Sequence, residues 1–81
     1  MSPLYDTINE RSKLHPDYEI AVFEMSMGNT ELYEHVYAQE IVKLYEEVKK
    51  EGLVETAKEV RKIFGYLNGS VFYSYKHHFE E

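Results

Sequence analysis

Residues 30–50 read TELYEHVYAQEIVKLYEEVKK, and within them Tyr33, Tyr37, Ile41, Leu44 and Val48 recur at spacings of four, four, three and four. That rhythm belongs to one face of an α-helix, not to a strand, whose side chains alternate. About 21 residues rising 1.5 Å each span roughly 30 Å, the full width of a small domain. No other segment is long enough to be the spine. Asn29 and Thr30 are placed to cap its start, with Glu31 and Glu34 in the first turn. Lys49 and Lys50 suit the other end of the helix dipole, and Gly52 supplies the stop. Tyr33, Leu44, Tyr37, Val48, Ile41 and Tyr45 cover an arc of roughly 120° at 100° per residue. An apolar arc that wide predicts neighbours on two sides.

After Gly52, Leu53, Ala57, Val60, Phe64 and Leu67 repeat at four, three, four and three. This predicts an amphipathic helix over about 53–67 that folds back antiparallel on the spine, since only a tight turn fits between them. Upstream, Pro3 reads as a first helical position after an N-cap at Ser2. Leu4, Ile8 and Leu14 then form the buried side of a helix running to about Lys13. His15-Pro16 breaks it, because the residue before proline avoids helical angles. A second short helix is preferred from Pro16-Asp17 to about Met27, with Ile20, Phe23 and Met27 sharing a face and Ala21 and Met25 beside it, although the β-branched, aromatic run Ile20–Phe23 would also suit a short strand. The tail is open to two readings. Phe72, Tyr75 and Phe79 fit a helix over 70–80 capped by Ser70, whereas Val71, Tyr73, Tyr75 and Phe79 also fit an alternating strand after an Asn68-Gly69 turn. Helix is preferred, because a lone hairpin is only marginally stable. The expected fold is therefore all-α: one domain, residues 1–81, with four to five helices packed around the central one.

A chain of 81 residues buries a modest core. It has no cysteine, so disulfides and thiolate zinc sites are excluded. The net charge of −6 steers it away from nucleic acid and anionic lipid and towards basic surfaces. No apolar run approaches the ~18 residues of a membrane span, and the N-terminus has no signal-peptide core. A cytoplasmic location is the expectation.

Little here supports catalysis. The serines sit in no strand–turn–helix elbow, the glycines form no phosphate loop, and adjacent carboxylates such as Glu46-Glu47 point to different helical faces. Glu31 and His35 lie four apart and can share a metal, with His77, His78 or His15 completing the set. That spacing matches no known ligand pair, so no metal or other cofactor is assigned and the chain is read as non-enzymatic.

One segment carries a resemblance. Residues 56–65, TAKEVRKIFG, followed by Ser70-Val71-Phe72-Tyr73, are similar to a helix-turn-helix DNA-binding segment. In such families a helix closes on an apolar residue plus glycine before a turn and a serine-started recognition helix. The resemblance implies a regulator using residues 53–76, with Lys58, Lys62, Ser70 and Lys76 on DNA. Arg61 stands where a small residue normally lets the helices approach, and Leu67 stands in a turn that is usually polar. Interleaved Glu55 and Glu59 weaken the counterion release that drives DNA affinity.

Eight tyrosines are the remaining signal, more than so small a core can easily absorb. The preferred function is accordingly a small acidic interaction module, a regulator or inhibitor that masks a basic site on a larger protein and itself forms a homo-oligomer. Tyr33, Tyr37, Tyr45, Glu40 and Glu47 are its expected contacts. The alternatives are the DNA-binding regulator and a small-molecule or nucleotide sensor in which tyrosines stack on a base and His77 or His78 meets phosphate.

Overall fold

A computed structural model describes residues 3–80. The chain forms α1 (Pro3–Lys13), α2 (Tyr18–Ser26), α3 (Glu31–Lys50), α4 (Val54–Phe64) and α5 (Gly69–Tyr75), closed by a 3₁₀ turn at Lys76–Phe79. No strand occurs among the described residues. The all-α expectation holds, with α3 as the spine. The N-cap expected at Ser2 lies outside the described residues.

Two glycines set the hairpins on either side of α3. Gly28 (φ 90°) and Gly52 (φ 79°) sit in the left-handed region, which a Cβ disfavours. At the first, Gly28 N–H donates to Met25 and Asn29 N–H to Glu24. At the second, Gly52 N–H donates to Lys49 and Leu53 N–H to Val48. Both are the doubly bonded helix ending that satisfies orphan carbonyls and reverses the chain. Asn29 Oδ1 accepts the Glu31 N–H at 3.2 Å, so the cap of α3 comes from Asn29; Thr30 makes no side-chain cap bond.

α3 is enclosed by α1, α2, α4 and α5, each of which packs on it. This meets the demand of its wide apolar arc. Ile8 of α1, Ile41, Leu44 and Val48 of α3, and Ala57, Val60, Ile63 and Phe64 of α4 form the main core. Phe64 is fully buried, with ring centres of Phe79 at 4.3 Å and Phe72 at 4.9 Å. These stacks explain why the tail is helical. Helical spacing delivers Phe72 and Phe79 onto the same buried ring, and Asn68 caps α5 by accepting the Ser70 N–H at 3.0 Å. The cap is therefore Asn68 and not Ser70.

One expectation about the N-terminal half is corrected. Leu14 is 86% exposed. It follows the end of α1 in a tight turn, where Leu14 N–H bonds Arg11 and His15 N–H bonds Ser12, so the helical period no longer directs its side chain. In α2 the face shared by Ile20, Phe23 and Met27 is turned to solvent. Ala21 is fully buried, whereas Ile20, Phe23 and Met27 are 56%, 65% and 73% exposed. Ile20, Ala21, Val22, Phe23 and Met25 place apolar groups in nearly every direction around this nine-residue helix. It has no amphipathic asymmetry to orient it, and the small Ala21 face is the one that meets α3.

Candidate functional site

The carboxylates expected to reach a partner are committed within the chain. Arg11 donates from both terminal guanidinium nitrogens to Glu47, each at 2.6 Å. This fork-to-fork pair clamps α1 to α3. It holds the Glu47 carboxyl below its ordinary value and the Arg11 guanidinium above its own. Glu40 is 5% exposed and accepts from Lys43 Nζ at 3.1 Å.

The spine tyrosines are half-buried. Tyr33 tilts against Tyr18 at 6.1 Å, and Tyr45 against Phe79 at 4.6 Å. Tyr37 packs on the main core, where burial first, and then nearby Tyr5 and Tyr33, push its hydroxyl above its ordinary value. Of the eight tyrosines none is fully buried, and the most open are Tyr66 and Tyr73, at 70% and 69%. Tyr33 thus meets α2 and Tyr45 the 3₁₀ turn, while Glu47 is held by Arg11 and Glu40 by Lys43.

An open apolar face lies elsewhere. Ile20, Phe23 and Met27 follow the i, i+3, i+7 rule of one helical face and are exposed, with Met25 at its edge and Leu14 exposed in the turn before α2. The charges nearest in sequence are all carboxylates: Asp17, Glu19 and Glu24. α2 itself contains no cation. The sequence marks the shared face of this triad but not its direction, because an apolar triad at helical spacing looks the same whichever way it points. The signal that marks it is the lack of a polar face on the same helix.

A hydrogen-bonded relay fixes the turn before α2. The Asp17 N–H donates to His15 Nδ1 at 3.0 Å, which leaves His15 Nε2 to donate to Gln39 Oε1 at 2.6 Å. Gln39 Nε2 donates to the Tyr75 hydroxyl, and that hydroxyl donates to His35 Nδ1, each at 3.0 Å. His35 Nε2 then faces Glu31 at 3.7 Å. Hydrogen bonds among four side chains, His15, Gln39, Tyr75 and His35, join the turn, α3 and α5. Glu31 and His35 do come together, but among the described residues no three of His, Asp or Glu converge on a metal position. His77 and His78 pack ring on ring at 4.0 Å, with His78 3.9 Å from Glu46.

Of the residues marked by the helix-turn-helix resemblance, Lys58 pairs with Glu55 at 3.5 Å and Lys76 with Glu80 at 3.8 Å. Ser70 Oγ bonds Asn68 Oδ1 at 3.0 Å, and Lys62 lines a shallow surface with Glu59 and Tyr66. α5 is seven residues long and packs chiefly on α3. Gly65 ends α4 at φ −63°, so its freedom to adopt a left-handed turn is not used. No helix among the described residues is long and apolar enough to cross a membrane. Comparison with known protein families, curated proteins and solved structures finds no match, so these side chains carry the functional argument by themselves.

Proposed function

We propose that the protein is a non-enzymatic interaction module that captures a larger protein through a basic amphipathic helix and masks the basic site on it. The observation that carries this reading is the unpartnered Ile20–Phe23–Met27 face in a chain of net charge −6. An exposed apolar stripe on a soluble-sized domain marks a contact site, and an apolar helix face laid into a partner is a recurrent recognition mode. The charges beside it select the occupant. Asp17, Glu19 and Glu24 would oppose one another across a pairing of two identical faces, so like-charge repulsion disfavours a second copy. A helix with an apolar stripe and lysine or arginine flanks satisfies both the oil and the charge. Glu and Asp side chains would then occupy cations that the partner otherwise uses to hold an acidic ligand.

The test uses a synthetic amphipathic helix of leucine and lysine, with a leucine–glutamate peptide as control, followed by amide chemical shifts. The basic peptide is expected to shift α2 resonances and to bind more weakly as salt rises. Phe23→Ser should weaken it by about tenfold or more, the usual effect of truncating an aromatic anchor. Shifts confined to other helices, or equal binding of the acidic peptide, refute the assignment. Self-association abolished by Phe23→Ser refutes the choice of occupant. The DNA-binding alternative predicts a low-salt gel shift lost in Lys76→Ala.

A further inference from the structure

A cleft of about 370 Å³ opens between the C-terminal half of α3 and the start of α4, lined by Tyr45, Lys49, Val54, Ala57, Lys58 and Arg61. Among the described lining residues are three of the chain's nine lysines and arginines and no carboxylate, although carboxylates outnumber cations fifteen to nine overall; Lys49 already holds another contact and Lys58 pairs with Glu55 at 3.5 Å. This concentration of cationic side chains in the described lining is the first observation. The second is Arg61. Its guanidinium lies 5.6, 5.4 and 5.6 Å from the ring centres of Phe64, Phe72 and Phe79. Among the described residues it has no carboxylate partner. A guanidinium held over aromatic faces is positioned by cation–π attraction while its N–H edge stays available to an anion. Third, α4 begins at this cleft. Its cap residue Leu53 makes no side-chain cap bond, so the positive end of an eleven-residue helix adds to the field of Lys58 and Arg61. The floor is apolar: Ala57 is buried, Val54 exposes its side chain, and the Tyr45 ring stands half-buried at the wall.

From this arrangement we infer that the cleft binds a small amphipathic anion, with an aryl or alkyl body and a carboxylate or phosphate head. The body lies on Val54, Ala57 and the Tyr45 ring. Arg61 and Lys58 hold the head, and Lys58 exchanges its loose contact with Glu55 for the ligand. The volume suits a compact ligand. This site is separate from the α2 face and stands or falls independently of it.

The probes are 1-naphthoate and 1-naphthyl phosphate, with 1-naphthalenemethanol as the neutral analogue and inorganic phosphate as the head alone. Amide shifts and melting midpoint are read on the full chain. At least one anion is expected to shift resonances in the segments 45–49 and 54–61 saturably and to raise the melting midpoint. The neutral alcohol and inorganic phosphate should each bind about tenfold more weakly or worse, since each lacks one half of the recognition. Whichever anion binds tighter identifies the head group. Arg61→Gln should weaken binding by about tenfold. Because Arg61 also packs on three rings, Val54→Glu is the second variant. Position 54 is 61% exposed and lies in a first helical turn, where an acidic residue is favoured, so the fold is kept while a negative charge closes the site. Absence of saturable shifts with both anions, or unchanged affinity in Val54→Glu, overturns the inference.

Discussion

Truncating Phe64 and Phe23 to alanine makes the same chemical change at two sites that the sequence treats alike. Phe64 is fully buried and sits between the rings of Phe72 and Phe79. Its loss leaves a cavity among groups that cannot collapse freely, at a cost of about 3–5 kcal/mol. Phe23 is 65% exposed. A phenylalanine contributes roughly 200 Å², so truncation there removes about 70 Å² of buried apolar surface, worth less than about 2 kcal/mol as an upper bound. The whole domain is stable by roughly 4–12 kcal/mol at its size. Phe64→Ala should therefore lower the melting temperature by about 15–30 °C, close to the limit of folding, while Phe23→Ala shifts it by a fraction of that. Urea unfolding at two protein concentrations is the assay. A Phe23→Ala penalty equal to that of Phe64→Ala would show that α2 packs the other way up, and the exposed-face argument would fail. A penalty that appears only at high concentration would show that a second copy covers the face. As the reciprocal check, Ala21→Leu should overpack the contact with α3 and cost about 1–3 kcal/mol.

Two further outcomes follow from the perturbed groups. The Glu47 carboxyl is held low by Arg11, so its contribution is present above the unfolded carboxylate value of about 4.3 and is lost as pH falls through its lower folded value. The carboxylate is 52% exposed, which limits the pair to roughly 1 kcal/mol or less. Glu47→Gln should be less stable than the parent at neutral pH and indistinguishable from it in strong acid, and a gap that persists in acid would refute this. The Tyr37 hydroxyl is held high, chiefly by burial. Its folded form keeps its proton longer than the unfolded one, so stability is unaffected below about pH 10 and falls as pH rises from there through the folded value. Tyr37→Phe should remove the alkaline end of the phenolate absorbance titration, and an unchanged end would count against the burial argument.

Much of the architecture was readable from local rules. The four–three spacing in residues 30–50 and 53–67 dictated two long helices, because only an α-helix brings such residues to one side. Gly28 and Gly52 marked the reversals, because only glycine enters the left-handed region at little cost. The width of the apolar arc on α3 required neighbours on both flanks. The candidate site was less readable. Glu40 and Glu47 look like solvent-facing acids in one dimension, yet Glu47 meets Arg11 of α1, thirty-six positions away.

The amino-acid order alone thus determined that α3 and α4 are helical, where the chain turns on either side of α3, and that α3 and α4 form a hairpin, since each of these is set by contacts within a few residues. Tertiary packing decided the rest. It chose helix for the tail by stacking Phe72 and Phe79 on Phe64, and it gathered three cations into one cleft of an acidic molecule. It also turned Ala21 inward and left Ile20, Phe23 and Met27 outside. A helix that is apolar nearly all round carries no internal instruction about its inner face, and only the shape of the surface that it meets can supply one.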